Sequence, residues 1–291
     1  MGSNIQWFPG HMAKAIRQFE ENVHVVDIIF ELVDARIPYS SVNPEIKRVA
    51  GNKPRLFILT KSDLADPKMT QKWLDYFNQT GLSAISIDSK AHGVRKKIEA
   101  AARQVLKPRL EKSQAKGIKK DILKAVCVGV PNVGKSTLLN QLVSKRSAAV
   151  GNRPGVTKGQ QWLTSSPTME LLDTPGILWP KFQNQEIADK LALTGAIKES
   201  IYHPDDIALF ALHFFRTNHE DEILKRYHLN ANDLNLSDVD LLLKITEKIG
   251  MKDDYDRASI RIINDVQKGK LGRFTLDSLE LVNGNEHSND N

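Results

Sequence analysis

The segment Gly129-Val130-Pro131-Asn132-Val133-Gly134-Lys135-Ser136 constrains this chain more than any other. It fits the spacing G-x-x-x-x-G-K-[ST], and its surroundings fit too. The apolar run at 123–128 reads as a strand, and residues 135–145 read as a helix. Glycines in such a loop let successive backbone N–H groups turn inward around an anion, at a helix N-terminus that already favours negative charge. Lys135 is then placed for the β- and γ-phosphates of a nucleotide and the Ser136 hydroxyl for Mg²⁺. The backbone from Asn132 through Val133 and Gly134 to Thr137 surrounds the other phosphate oxygens.

Strands alternate with helices on both sides of this loop, which predicts an α/β domain with a mostly parallel sheet. Strands are expected at 25–32, 55–59, 83–87 and 169–172. Helices are expected at 11–24, 69–80 and 93–107, where Pro108 ends or bends the last one. A basic connector is expected at 109–120. Beyond residue 183 the pattern becomes helical, at 187–197, 206–217, 236–249 and 257–268. The expectation is a P-loop α/β domain over 1–182, including the N-terminal helix. A small all-helical C-terminal domain follows over 183–281, then a polar, disordered tail over 282–291.

With 291 residues the chain can bury two cores. Cys127 is the only cysteine, so neither a disulfide framework nor a cysteine metal cluster is available. No apolar run reaches bilayer length, and Trp7-Phe8-Pro9-Gly10-His11 stands where a signal peptide would be apolar. These features predict a cytoplasmic protein without a membrane partner. The net charge of +6 is uneven: residues 1–176 carry 27 Lys and Arg against 15 Asp and Glu, the rest 14 against 20. A basic first part suits a polyanion such as RNA, or a lysine-rich solvated surface.

Asp173-Thr174-Pro175-Gly176 closes the strand at 169–172. An acid there can hold Mg²⁺ through its hydration shell, and Gly176 lets backbone approach the γ-phosphate. Thr60-Lys61-Ser62-Asp63 follows the strand at 55–59. A carboxylate at Asp63 can accept from both N1–H and the 2-amino group of guanine. Adenine lacks that amino group, and a site built on such bonds discriminates by roughly 10⁴ or more. The Lys61 stem can cover one face of the base. Asp88, Ser89 and Lys90 supply a second loop beside it.

These motifs resemble those of translation-factor-related GTPases, in circularly permuted order: the base loops precede the phosphate loop, Thr157 and Asp173–Gly176. Two positions depart from the common pattern. Thr60 stands where N-K-x-D has Asn, and Asp88-Ser89-Lys90 stands where Ser-Ala-Lys is usual. Four further segments narrow the likeness to the ribosome biogenesis GTPase A family, from residue 5 to about residue 275. They are Trp7–Ala15, Asp34-Ala35-Arg36-Ile37-Pro38, Pro154-Gly155-Val156-Thr157 and Asp173–Pro180. The resemblance implies GTP and GDP binding, and GTP hydrolysis stimulated by the ribosomal particle. It also implies a role in late assembly of the bacterial large (50S) subunit, contact with rRNA and ribosomal proteins, and a monomer off the ribosome.

The residue after the D-x-x-G motif, often a water-positioning Gln, is Ile177, so unaided turnover is expected to be slow. Asn132 resembles the asparagine of potassium-dependent GTPases, which makes K⁺ a candidate cofactor beside Mg²⁺; a plain polar loop residue is the alternative. His11 is the catalytic candidate implied by the family, the other reading being an N-terminal helix anchor. Residues 151–157 are the candidate switch, with Thr157 as a second Mg²⁺ ligand. Arg257, Arg261 and Lys268 share a helical face, followed by Lys270 and Arg273. They are candidate rRNA contacts, or a solvated face. A P-loop metabolic kinase fits the guanine loop poorly, and Ile177 leaves open an interaction protein with negligible hydrolysis.

Overall fold

Segments rich in Ile, Val, Leu and Phe become the inner strands of a six-stranded sheet in a computed structural model of the chain. The structure describes residues 10–88, 91–117, 122–143, 161–180, 182 and 184–280. Ser89, Lys90, Thr157, the switch segment 151–157 and the tail at 282–291 lie outside the described residues.

The strands are β1 (Ile28–Asp34), β2 (Arg55–Thr60), β3 (Ser83–Ser86), β4 (Leu123–Gly129), β5 (Gln161–Ser166) and β6 (Met169–Asp173). Their order is β3-β2-β1-β4-β6-β5, with every pairing parallel except β5 with β6. The phosphate-loop strand β4 therefore sits between β1 and β6. The three strands earlier in sequence lie on one side of it and the two later ones on the other. The rotated motif order leaves five parallel strands pointing the same way, so the loops at their C-terminal ends share one edge of the sheet.

The helices of this part are α1 (Gly10–Asn22), α2 (Pro44–Ala50), α3 (Pro67–Gln79), α4 (Val94–Val105), α5 (Lys107–Ala115) and α6 (Lys135–Leu142). Ala15 and Phe19 of α1 and Ile46 and Ala50 of α2 pack with Ile29, Val126, Val128, Leu172 and Ile177. Trp73 and Phe77 of α3 pack with Val33, Phe57 and Leu59. Ile29 and Val33 are four apart on one strand, so both clusters lie on the same face of the sheet. Helices α4 and α6 pack against each other, α4 on β2 and β3 and α6 on β4.

Between the two clusters, on the same face, lies Glu31, 1% exposed and paired with Arg55 at 3.1 Å. Burial pushes its carboxyl up to about 7 in spite of the Arg55 charge. The unfolded chain ionises this group near 4.5, whereas the folded chain holds its proton to about 7. Stability is thus expected to fall by about 3 kcal/mol as pH rises from 4.5 to 7 and to level off above that. Glu31→Gln should remove this slope. Leaving Arg55 without a counter-ion adds an offset that does not vary with pH. Urea unfolding of both proteins between pH 4.5 and 8 checks it: parallel profiles would be the contrary result.

Four boundaries differ from expectation. The first strand begins at Ile28 because Val23–Val25 form a 3₁₀ turn. The expected connector at 109–120 is helical through Ala115: Pro108 opens α5 in its first turn, where proline is tolerated, rather than closing the chain's helical course. Helix α2 was not anticipated; Asn43 caps it by accepting from Glu45 N–H, with Pro44 next. Strand β5 was also unforeseen, because its polar residues fit an edge strand hairpinned to β6 with a register shift at Thr164/Ser166.

The chain divides into two compact units, one running to Trp179 and the other Pro180–Ser278. The second holds α7 (Gln185–Leu193), α8 (Pro204–Asn218), α9 (Glu220–Tyr227), α10 (Asp238–Lys248) and α11 (Tyr255–Gln267). Helix α8 is its centre, touching the other four. Ile207, Ala211, Leu212 and Phe215 are buried there, and the Phe215 ring lies 5.1 Å from Phe274. Helix α9 escaped the periodicity reading because it is short. Three acids in its first turn and Lys225 and Arg226 in its last are the signals that mark it. Among the described residues, no helix is long and apolar enough to cross a membrane.

Candidate nucleotide site

The loop after β4 is shaped by close backbone approach. A Cβ on Gly129 would lie 2.7 Å from the carbonyl oxygen of Leu32, its neighbour across the β1–β4 ladder. A Cβ on Gly176 would lie 2.8 Å from Pro131 Cα. Neither position accepts a side chain without moving backbone. Asn132 takes a left-handed φ of 56°, Val133 is buried, and Gly134 leads into α6. At the N-terminus of that helix, Lys135 is buried, Ser136 half-buried and Thr137 exposed. Lys135 Nζ donates to Asp173 Oδ1 at the end of β6, a carboxylate 1% exposed. Thr174 donates to the Cys127 carbonyl at 2.7 Å, and Ile177 N–H to Gly129 O at 3.0 Å, tying the D-x-x-G segment to β4. Burial raises the Cys127 thiol to about 12, so it is no nucleophile at neutral pH.

Ser136 and Asp173 supply hydroxyl and carboxylate oxygens, the donors a hard divalent ion takes, at one end of the loop. That donor set fits Mg²⁺.

The base loop meets the phosphate loop directly. Thr60 is fully buried, and its hydroxyl donates to the Val133 carbonyl, with the Val33 carbonyl 3.1 Å away as a second acceptor. The threonine that replaces the usual asparagine therefore still joins the two loops. Ser62 N–H reaches Ile87 O at 3.4 Å, and Ile87 N–H donates to Leu59 O at 2.8 Å, which sets the half-buried Asp88 beside the half-buried Asp63 loop.

Asp34 and Arg36, part of the Asp34–Pro38 segment, take a definite place in the structure. Asp34 ends β1 opposite Thr60, and its carboxylate accepts from Arg36 Nε at 2.9 Å, Arg36 Nη2 at 2.7 Å and Lys61 Nζ at 2.9 Å. Burial alone would raise this carboxyl. The Arg36 and Lys61 charges outweigh it and hold the group well below the usual carboxylate range. A D-x-R at a strand end opposite a T-K-x-D strand is the signal that finds them. Asn43 was not singled out from sequence: its Nδ2 donates to Ile177 O at 2.9 Å.

Ile177 is fully buried in the cluster beneath α1 and α2. His11 is exposed in the first turn of α1, the helix whose Ala15 and Phe19 belong to that cluster. In the helical unit, Arg257, Arg261, Lys268, Lys270 and Arg273 are all exposed. Arg261 and Lys270 reach Asp265 at 3.4 and 3.0 Å, where Arg226 of α9, not singled out from sequence, joins them at 2.7 Å.

The family model of the 50S ribosome-binding GTPase matches residues 124–264. The matched segment opens on the phosphate-loop strand and leaves β1 to β3 outside it, in keeping with the rotated order. Over 279 residues the chain is 45% identical to Ribosome biogenesis GTPase A of Priestia megaterium, covering 94% of this chain and 96% of that one. It is 31% identical to the protein of the same name from Thermotoga maritima, covering 96% of each. It is 30% identical to Mitochondrial ribosome-associated GTPase 1 of Bos taurus, covering 96% of this chain and 90% of that one. The crystal structure of GNP-bound YlqF from T. maritima superposes with a TM-score of 0.62 at 26% identity, over 91% of this chain and 97% of that one. Near-complete alignment to these relatives, on a sheet that brings the early segment Thr60–Asp63 against the later loop Gly129–Ser136, makes this chain a GTPase of the ribosome biogenesis GTPase A family.

Proposed function

We propose that this protein is a GTP-hydrolysing factor in late assembly of the bacterial large ribosomal subunit, acting in the cytoplasm as a monomer until it binds the particle. The observation that carries the reading is the hydrogen bond from Thr60 to the Val133 carbonyl. It joins the segment Thr60–Asp63 to the loop Gly129–Ser136 through residues 73 apart, which supports reading the two as one nucleotide site in rotated order.

In this reading Asp63, with Thr60 and Lys61, reads guanine, and Asp88, Ser89 and Lys90 close over the base. Asn132 to Thr137 surround the phosphates and Lys135 neutralises the β- and γ-oxygens. Ser136, Asp173 through water, and Thr157 in the GTP state would hold Mg²⁺. When bound, that ion neutralises charge developing between the β- and γ-phosphates. Asn132 would hold K⁺. His11, carried by α1, would orient the attacking water, since the buried Ile177 side chain cannot. Slow unaided turnover and acceleration on the particle follow from a site completed from outside. The exposed Arg257, Arg261, Lys268, Lys270 and Arg273 would grip rRNA phosphates, so that residues 183–281 act as the ribosome-binding domain and 1–182 as the GTPase domain.

The test is sedimentation with purified large subunits, together with GTP turnover in their presence and absence. Co-sedimentation is expected in a non-hydrolysable GTP analogue and weaker in GDP, with turnover rising at least tenfold on the particle and falling back when Arg257 and Arg261 become Glu. Equal sedimentation in both nucleotides, with unchanged turnover, would overturn the proposal.

A further inference from the structure

The D-A-R segment after β1 has no part in the chemistry described so far, although its two charged residues are among the most deeply buried in the molecule. Asp34 is 2% exposed and Arg36 1%. Arg36 grips Asp34 three times, through its backbone N–H at 3.1 Å and its guanidinium at 2.9 and 2.7 Å. Two turn bonds support the corner: Asp34 N–H donates to Ser41 Oγ at 2.9 Å, and that hydroxyl donates to Ile37 O at 2.7 Å. The carboxylate cannot rotate in this setting. Its Oδ2 still accepts a further bond, from Lys61 Nζ at 2.9 Å.

Lys61 is an unusual lysine. Its backbone takes φ +56°, a left-handed conformation that costs a non-glycine residue energy and persists where the surroundings impose it. Its side chain is only 23% exposed. A free lysine side chain carries about 2 kcal/mol of rotamer entropy, so a stem meant to lie flat on an aromatic base gains most from being fixed beforehand. Asp34 supplies the fixed point, and Arg36 immobilises Asp34.

We propose that Asp34 is a positioning residue for guanine binding: held by Arg36, it pins the Lys61 ammonium so that the Lys61 stem forms a rigid wall against one face of the base. The inference rests on reading Thr60–Asp63 as the base loop. Burial lowers the Lys61 pKa, and the nearby Asp34 charge opposes that shift. Asp34 touches neither the nucleotide nor the cradle in this scheme. Its effect is confined to ligands that carry a base.

The experiment is a double-mutant cycle on the full chain, read as affinity for GDP and, separately, for inorganic pyrophosphate, which occupies the cradle and has no base. Lys61→Met and Asp34→Asn are each expected to weaken GDP binding about tenfold, and the pair together no more than either alone, because one acts through the other. Pyrophosphate affinity of the Asp34 variant should stay within about twofold of the parent, because the cradle itself is untouched. If Asp34→Asn leaves the buried Arg36 charge too costly to fold, Asp34→Asn with Arg36→Met removes both charges and is read the same way. A multiplicative loss in the double variant, or equal weakening of pyrophosphate and GDP by the Asp34 variant, overturns the proposal and makes the segment a plain structural clamp. A parent protein that binds pyrophosphate but no GDP would instead sink the base-loop reading beneath it.

Discussion

Lys135→Ala is expected to cut GTP turnover by about a thousandfold and, at the same time, to destabilise the nucleotide-free protein. The first effect follows from removing the one buried ammonium at the cradle, where a preformed charge is worth several kcal/mol to a phosphoryl transition state. The second follows from its partner. Lys135 Nζ lies on Asp173, whose side chain is 1% exposed while that of Lys135 is 9% exposed. Breaking a buried pair from one side leaves an uncompensated charge and costs about 3–5 kcal/mol. The two consequences separate in a second variant. Lys135→Ala combined with Asp173→Asn should recover most of the lost stability in urea unfolding while turnover rises no higher than in the single variant. Recovery of turnover along with stability would mean that Lys135 acts only as a counter-ion.

The second large effect concerns the base. Asp63→Asn is expected to weaken GTP binding by about 10³-fold and to create a preference for xanthosine triphosphate. The reason is the direction of the hydrogen bonds. A carboxylate accepts from guanine N1–H and from its 2-amino group, whereas an amide accepts from N1–H and donates to the C2 carbonyl that xanthine carries there. Competition of the two nucleotides in single-turnover hydrolysis checks it. Because Asp63 lies three residues beyond Thr60, whose hydroxyl is on the phosphate loop, a polar exchange at Asp63 alters the base without loosening the cradle. A variant that still prefers GTP would show that guanine is read elsewhere.

The first of these predictions leans on motifs that are plain in the sequence. Gly129–Ser136 and Asp173–Gly176 are local: the turn and the strand end that create them are built from neighbouring residues, so spacing alone reveals them. The same holds for the buried strands β1 and β4, whose apolar runs, each interrupted inside by one charged residue (Glu31 and Lys124), match strands covered on both faces. It holds also for α11, where residues 257, 261 and 268 fall on one side.

Tertiary structure decided the rest. Whether Thr60 could replace an asparagine depended on Val133 being within reach of its hydroxyl, which strand order sets and periodicity does not. The pairing of Asp34 with Lys61 follows from the β1–β2 register, in which Asp34 stands opposite Thr60. The convergence of Arg226 with Arg261 and Lys270 on Asp265 needs α9 laid beside α11. Edge strand β5 has a weak, polar local pattern and exists through its pairing with β6, and helix α5, with no buried residue, offers no apolar face for periodicity to find. What this sequence determined unaided was the spacing of the motifs Gly129–Ser136, Asp173–Gly176 and Thr60–Asp63 and their rotated order, each built from residues adjacent along the chain. Contacts between groups far apart in the chain exist only once strand order and register are set, because a charged side chain chooses its partner by distance in space.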